Sequence, residues 1–124
     1  MPADSSKDDI AKVINDLNND PHVHGILMQL PLPDYLSAVQ EDLVQMIAPH
    51  KDVDGLTTVN AGKLILGHND GLVPCTPQGS LMLIKSIKEN LSGLHAVVIG
   101  RSNLFGKPMG CLLYTSDAAD DANC

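Results

Sequence analysis

The chain has 124 residues, of which 44% are hydrophobic and 19% are charged. This length suits one ordinary domain and is short for two, and the composition is typical of a folded core rather than of a disordered tail. The net charge of −7 excludes the basic stripe that a nucleic-acid surface needs. It does not exclude a phosphate-bearing cofactor, which needs only a few local donors.

The N-terminus and the cysteines indicate a cytoplasmic chain with no membrane partner. The segment "MPADSSKDD" is polar and acidic, unlike a signal peptide or an Arg-rich transit peptide. The longest apolar run is interrupted by Gln29 and is too short to cross a bilayer. The cysteines leave an odd thiol and lack metal-type spacing, which favours a reducing compartment; they are Cys75, Cys111 and Cys124.

The first predicted elements are a helix and a strand. Ser5 or Ser6 caps the helix, which ends at residues 18–21. Its apolar residues have the i, i+3, i+4, i+7 spacing of one helix face and are Ile10, Val13, Ile14 and Leu17. Residues 23–30, "VHGILMQL", then predict a strand buried on both faces, because their apolar residues run without alternation.

The remaining pattern predicts three helices and a second buried strand. The helices cover residues 35–47, residues 59–66 and a long segment that begins at "PCTPQG". The strand covers residues 94–99 and ends at Gly100. The residues expected to face inward are Leu36, Val39, Leu43 and Met46 in the first of these helices, and Leu81, Ile84 and Ile87 in the last. This order of helices and strands predicts an α/β fold with parallel strands.

The turn after the second strand resembles a phosphate-binding turn. Gly100 follows the strand and Gly106 lies where the next helix begins, although the plain G-x-G-x-x-G fingerprint fails by one residue. Ser102 is small and offers a hydroxyl, and Arg101 offers a forked cationic donor suited to a phosphate. An ordinary strand-to-helix turn with a solvated arginine explains the pattern equally well.

Gln29 and the pair Asp52 and Asp54 are further candidate site residues. An amide inside an apolar strand needs hydrogen-bond partners, and Gln29 lies where the strand opens towards two prolines; a structural amide is the alternative. The two carboxylates of "KDVDG" suit acid–base work or recognition of an N–H-rich heterocycle, and they equally suit capping of backbone amides. His22 and His24 lack the third ligand that a metal site needs, so we expect no metal.

Four segments in a fixed order resemble one known family. They are "VHGILMQLPLP", "PHKDVDGLTTVNAGKL", "VPCTPQGSLMLIK" and "LHAVVIGRSNLFGKPM". The family is the bifunctional methylenetetrahydrofolate dehydrogenase / methenyltetrahydrofolate cyclohydrolase, and the resemblance covers about residues 10–110. It implies a folate-binding catalytic domain followed by a Rossmann-like NADP domain. It also implies an NADP-dependent oxidation, a hydrolysis that yields 10-formyl-tetrahydrofolate, and a homodimer without metal.

The resemblance also implies roles for individual residues. Gln29 corresponds to the family's active-site glutamine, with Met28 and Leu30 lining the folate site. Asp54 corresponds to the aspartate that binds the pterin ring, whose adjacent N–H donors a carboxylate accepts bidentately. Gly100, Arg101 and Ser102 correspond to the cofactor-phosphate segment.

Two departures from the family limit what this chain is expected to do. The family's catalytic lysine belongs to a Tyr-x-x-x-Lys motif, and the chain contains no such motif. The segment 111–124 resembles an in-frame translation of a sequencing adapter, so we expect a non-native tail there. We therefore interpret residues 1–74 as part of the folate domain and residues 75–110 as the connecting helix and the start of the NADP domain. The fragment alone is expected to be inactive; the alternative is a catalytically dead folate- or nucleotide-binding module.

Overall fold

A computed structural model describes residue 2 and residues 4–114. Its helices are α1 (Lys7–Asn19), a 3-10 helix (Asp34–Val39), α2 (Gln40–Gln45), α3 (Thr58–Ile65), α4 (Cys75–Ile87) and α5 (Gly106–Leu113). None of these described helices has the length and apolar character that crossing a membrane requires.

Helix α1 is the element that the sequence predicts best. Ser6 is its N-cap: the Ser6 hydroxyl accepts a hydrogen bond from the Asp9 amide at 3.2 Å, and the Asp9 carboxylate accepts one from the Ser6 amide at 3.0 Å. The Ser6 hydroxyl also donates to the Asp9 carboxylate at 2.6 Å, and this bond, together with the one from the Ser6 amide, holds the pKa of Asp9 below its usual value. Ile14 is buried as predicted, whereas Val13 lies at the exposed edge of the predicted face. The reciprocal capping box therefore fixes where the helix begins.

The core of the first half lies between α1, α2 and the extended segment that follows α1. Its buried members are Ile14, Ile26, Leu43 and Ile47. The helix predicted over residues 35–47 is two elements, and Met46 is 40% exposed instead of facing inward. Helix α2 ends at Gln45, so Met46 is its C-cap, and the residues that the helix buries are Leu43 and Val44.

The strand predicted over residues 23–30 is reduced to one isolated parallel bridge, between Ile26 and Asp52. The Ile26 amide donates to the Lys51 carbonyl at 2.6 Å, and the Val53 amide donates to the Ile26 carbonyl at 3.5 Å. The strand prediction is therefore wrong beyond this pair. Apolar composition alone does not make a ladder, because each strand needs a neighbour along its whole length.

The strand predicted over residues 94–99 is also wrong for the described part of the chain. No ladder forms there, and Val97 and Ile99 are 75% and 95% exposed. The predicted inward face of α4 is wrong at Ile84 and Ile87, which are 39% and 91% exposed. Val97 and Ile99 border an open cavity of about 430 Å³. Of the predicted α/β architecture, the described residues show the helices and one parallel pairing.

Helix α5 crosses the predicted boundary of the non-native tail. It runs from Gly106 to Leu113, so Cys111, Leu112 and Leu113 continue the helix that Gly106 begins. The predicted tail from residue 115 to residue 124 lies outside the described residues, and its origin stays a prediction.

Candidate functional site

Asp52 is a structural carboxylate. Its side chain is 2% exposed and accepts hydrogen bonds from the Leu56 amide at 3.2 Å and the Thr57 amide at 2.8 Å. It also accepts one from Nδ2 of Asn60 at 2.9 Å. These donors lie at the start of α3, so Asp52 fastens the turn of residues 52–55 to that helix. Of the two interpretations of the paired carboxylates, Asp52 follows the one in which a carboxylate caps amides.

Asp54 differs from Asp52, because its half-buried carboxylate accepts no hydrogen bond from a described residue. Burial raises the pKa of Asp54 above its usual value, and the nearby charge of Asp52 raises it further. Gly55 follows with φ of +63°, and a Cβ there would lie 2.5 Å from the Leu72 carbonyl oxygen. The turn therefore presents a carboxylate whose acceptor sites are available to an N–H-bearing ligand.

Lys51 is a buried residue that sequence reasoning missed. Lys51 is only 6% exposed. Its Nζ donates hydrogen bonds to the carbonyls of Leu17 at 2.9 Å, Asn18 at 2.8 Å and Asp20 at 2.8 Å. The ammonium thus satisfies carbonyls at the C-terminus of α1, where the helix dipole favours a cation. Lys51 is next to Asp52 in the chain, so it links the end of α1 to the turn that carries Asp54.

Asn60 was also missed, although it is 2% exposed. Its Nδ2 donates to the Pro49 carbonyl at 2.8 Å as well as to Asp52, and its Oδ1 accepts from the Leu72 amide at 3.1 Å. The residue type was the available signal. Asparagine is a poor helix former, so an asparagine inside a predicted helix indicates that its side chain hydrogen-bonds to nearby backbone groups.

Gln29 lies in the extended segment and is exposed, so the prediction of a buried strand amide is wrong. Its Nε2 makes one long hydrogen bond, 3.4 Å to the Leu30 carbonyl. Met28 packs against the core, and Leu30 is half-buried before a cis peptide bond to Pro31. The parallel bridge pairs Ile26 with Asp52. Met28 lies two residues after Ile26, and Asp54 lies two residues after Asp52. Both segments thus run in the same direction from one pairing point.

Ser102 organises the turn before α5. Its Oγ accepts from the Phe105 amide at 3.1 Å and the Gly106 amide at 3.5 Å, and its carbonyl accepts from the Lys107 amide at 3.1 Å. Gly100 has φ of +138°, and a Cβ on Gly106 would meet the Gly100 carbonyl group. The turn is therefore closed on itself, and only a residue without a side chain fits at its inner face.

The same turn offers donors suited to a phosphate group. Arg101 is exposed and forms no ion pair with another described residue, and Lys107 is also exposed. The Ser102 hydroxyl accepts two amides and keeps its own O–H as a donor. This donor set fits a phosphate, with the forked Arg101 guanidinium as its strongest member.

The turn of Asp54 and the turn of Ser102 border the same cavity. This cavity, of about 250 Å³, is lined by Gly55, which follows Asp54, by Asn103, which follows Ser102, and by Lys107 of α5. The structure gives no contact between Gln29, Asp54 and Arg101 themselves. A separate cavity of about 460 Å³ is lined by Lys51, His24 and His50 among others. Among residues 4–114, no group of three or more His, Cys, Asp or Glu residues is arranged to hold a metal ion.

Two family models match the chain in succession. Residues 1–54 match the catalytic domain of tetrahydrofolate dehydrogenase/cyclohydrolase, and residues 74–122 match the NAD(P)-binding domain of the same family. The "Bifunctional protein FolD" of Wolbachia sp. subsp. Drosophila simulans (strain wRi) is 56% identical over 113 residues, which are 91% of this chain and 38% of that protein. The FolD protein of Rhizobium johnstonii is 54% identical over 120 residues, covering 95% of this chain and 40% of that protein.

Solved structures give the same result. The bifunctional FolD methylenetetrahydrofolate dehydrogenase/cyclohydrolase of Campylobacter jejuni has a TM-score of 0.87 and 41% identity, over 94% of this chain and 40% of that chain. The Trypanosoma brucei enzyme, solved with NADP and an inhibitor, has a TM-score of 0.85 and 31% identity, over 95% and 39% of the two chains. The chain spans about two fifths of the length of the curated relatives it matches. With both domain models matched in order and the fold shared, the chain belongs to the tetrahydrofolate dehydrogenase/cyclohydrolase family.

Proposed function

We propose that the chain is part of a bifunctional enzyme of one-carbon metabolism. This enzyme oxidises 5,10-methylene-tetrahydrofolate to the 5,10-methenyl form with NADP, and then hydrolyses the product to 10-formyl-tetrahydrofolate, a precursor for purine biosynthesis. The observation that carries the proposal is the succession of a catalytic-domain match and an NAD(P)-binding-domain match in one chain. We propose a cytoplasmic homodimer as the assembled form.

The proposed architecture divides at the start of α4. Residues 1–74 contribute part of a three-layer α/β folate-binding domain, and residues 75–110 contribute the connecting helix and the start of a Rossmann-like domain. Support comes from the family matches, which end at residue 54 and resume at residue 74.

Asp54 and the segment 28–30 form the proposed folate half-site. The Asp54 carboxylate accepts N–H donors of the pterin ring, and its lack of a protein donor leaves it available for that task. Gln29 presents an exposed amide, and Met28 and Leu30 supply apolar contact beside it. Met28 already packs on the core, so its position is fixed before any ligand binds.

Gly100, Arg101 and Ser102 form the proposed NADP half-site. Arg101 binds a cofactor phosphate through its exposed guanidinium, and the Ser102 hydroxyl donates a hydrogen bond to the same phosphate. When bound, NADP supplies the acceptor for the hydride of the substrate. No role is proposed for a metal.

The 124-residue chain by itself is proposed to be inactive. It lacks the Tyr-x-x-x-Lys motif, and its described residues contain one parallel bridge where a cofactor domain needs a sheet. Turnover of 5,10-methylene-tetrahydrofolate with NADP by the purified chain would overturn this part of the proposal.

A chimera tests the function of these residues in a full-length protein. Residues 10–110 would replace the aligned segment of the Wolbachia relative, which shares 56% identity with this chain. We expect the chimera to retain both activities, and Asp54→Asn to lower its dehydrogenase kcat/KM about 100-fold, because a positioned charged acceptor is lost. Asp16→Asn, an exposed carboxylate of α1, is the matched control. A folded chimera without either activity contradicts the proposal.

The same chimera tests the cofactor half-site. Arg101→Ala should raise KM for NADP about tenfold, because one charge-assisted hydrogen bond is lost. The KM for NAD, which lacks the additional phosphate, serves as the internal control and should change little. Equal effects on the two cofactors would exclude Arg101 as the residue that recognises that phosphate.

A further inference from the structure

We propose that Asn60 is a positioning residue, which holds the turn of Asp54 in place by tying it to the segment before α4. The inference rests on the proposed function of Asp54, because a positioning role has meaning only if that carboxylate binds substrate. Asn60 itself is 2% exposed, so it acts through the residues around it and not by contact with substrate.

The first contacts of Asn60 are with residues 49–52. Its two amide hydrogens are used by the Pro49 carbonyl at 2.8 Å and by Oδ2 of Asp52 at 2.9 Å. The same Oδ2 accepts the Thr57 amide at 2.8 Å. The Asp52 carboxylate is therefore held by a backbone amide at the N-cap of α3 and by the Asn60 side chain within that helix. The segment that enters the turn is therefore fixed on both sides of His50 and Lys51.

The remaining contact of Asn60 reaches across to residue 72. Oδ1 accepts the Leu72 amide at 3.1 Å, and the carbonyl of that same residue lies against Gly55. A Cβ on Gly55 would come 2.5 Å from the Leu72 carbonyl oxygen and 3.0 Å from Cδ of Pro74. One side chain thus sets the approach of segment 72–74 to the residue directly after Asp54.

Asp54 depends on these contacts because it has no side-chain anchor of its own. Its carboxylate accepts no hydrogen bond from a described residue, so the backbone of the turn alone directs it. The turn closes through the Gly55 amide, which donates to the Asp52 carbonyl at 3.1 Å. Asp52 is held by Asn60, and Gly55 is confined by Leu72. A shift of Asn60 therefore changes the direction of Asp54 from both ends of the turn.

Hydrogen exchange in the 124-residue chain tests the coupling directly. In Asn60→Ala we expect the Thr57 and Leu72 amides to exchange about tenfold faster. The Leu72 amide loses its acceptor, and the Asp52 carboxylate that accepts the Thr57 amide loses the support of Asn60. Amides of α4 should keep their rates, and Asn69→Ala, an exposed asparagine in the neighbouring loop, should leave all of them unchanged. A uniform acceleration of all amides would mean a general loss of stability and would overturn the proposal.

A second variant separates the two ends of the link. Asn60→Asp keeps an acceptor for the Leu72 amide, loses the Nδ2 donors to Pro49 and Asp52, and places a second carboxylate against that of Asp52. We expect faster exchange at Thr57 and unchanged exchange at Leu72. If neither variant folds, Asn60 is a residue of general stability and the positioning role is refuted.

Kinetics of the chimera complete the test. Asn60→Ala should raise KM for 5,10-methylene-tetrahydrofolate about tenfold through misplacement of Asp54, with KM for NADP unchanged. An unchanged folate KM in an active chimera refutes the positioning role and leaves the proposed function intact. An inactive parent chimera refutes the proposed function, and the exchange rates then still decide whether Asn60 controls the turn.

Discussion

The link between Lys51 and the end of α1 leads to a stability prediction. Replacing Lys51 with methionine keeps most of the apolar stem and removes the ammonium that donates to three carbonyls. Each charge-assisted bond contributes about 1.5–3 kcal/mol, but carbonyls near the surface can take up water when the donor is gone. We therefore expect the free energy of unfolding to fall by about 3 kcal/mol, within a total of about 5–15 kcal/mol for a domain.

Urea unfolding followed by circular dichroism measures this change. With a slope of about 1–3 kcal/mol per molar urea, the midpoint of Lys51→Met should fall by about 1–3 M. Lys88→Met is the matched control, because Lys88 is exposed and its described hydrogen bond is made by its backbone. If the two variants lose the same stability, the ammonium does not stabilise the end of α1 and the reasoning fails.

Three further predictions concern single positions. Ser6→Ala removes the cap of α1 and should lower the free energy of unfolding by about 1 kcal/mol; an unchanged thermal midpoint contradicts the cap. The raised pKa of Asp54 means that the folded state keeps this proton to higher pH than the unfolded chain does. Stability from this group is therefore present below pH 3.8 and lost as pH rises through the raised pKa, and Asp54→Asn should abolish that loss in pH-dependent urea titrations. Gly106→Ala should cost about 1–3 kcal/mol, because its Cβ meets Gly100. Gly110→Ala has open space and should cost nothing, so equal effects in thermal unfolding would refute the crowding.

The helices were predictable because their signals are local. The beginning of α1 depends on Ser6 and Asp9, which are three residues apart, and its buried face follows from spacing within one helix. Strands behave differently, because their hydrogen bonds come from distant segments. Residues 94–99 have the composition of a buried strand, yet the described residues supply no neighbour for them.

The site was predictable in its residue types and not in their roles. The sequence presents Asp52 and Asp54 as equivalent carboxylates in one short loop. Only the surrounding donors distinguish them: Asp52 meets two backbone amides and Asn60, whereas Asp54 meets none. The carbonyls that accept from Lys51 lie more than 30 residues away in sequence, so no short motif predicts its position.

In the closed turn between Gly100 and Gly106, different residues determine the backbone conformation and the charge. The glycines determine the path of the backbone, and the Gly106 position has no room for a side chain. The Arg101 side chain is exposed, and only the backbone nitrogen of this residue is among the atoms nearest the Gly106 position. Substitutions at residue 101 can therefore alter which anion the turn attracts while the backbone stays as it is. Residue 101 can therefore be changed to alter ligand preference, whereas residue 106 must stay glycine to keep the backbone of the turn.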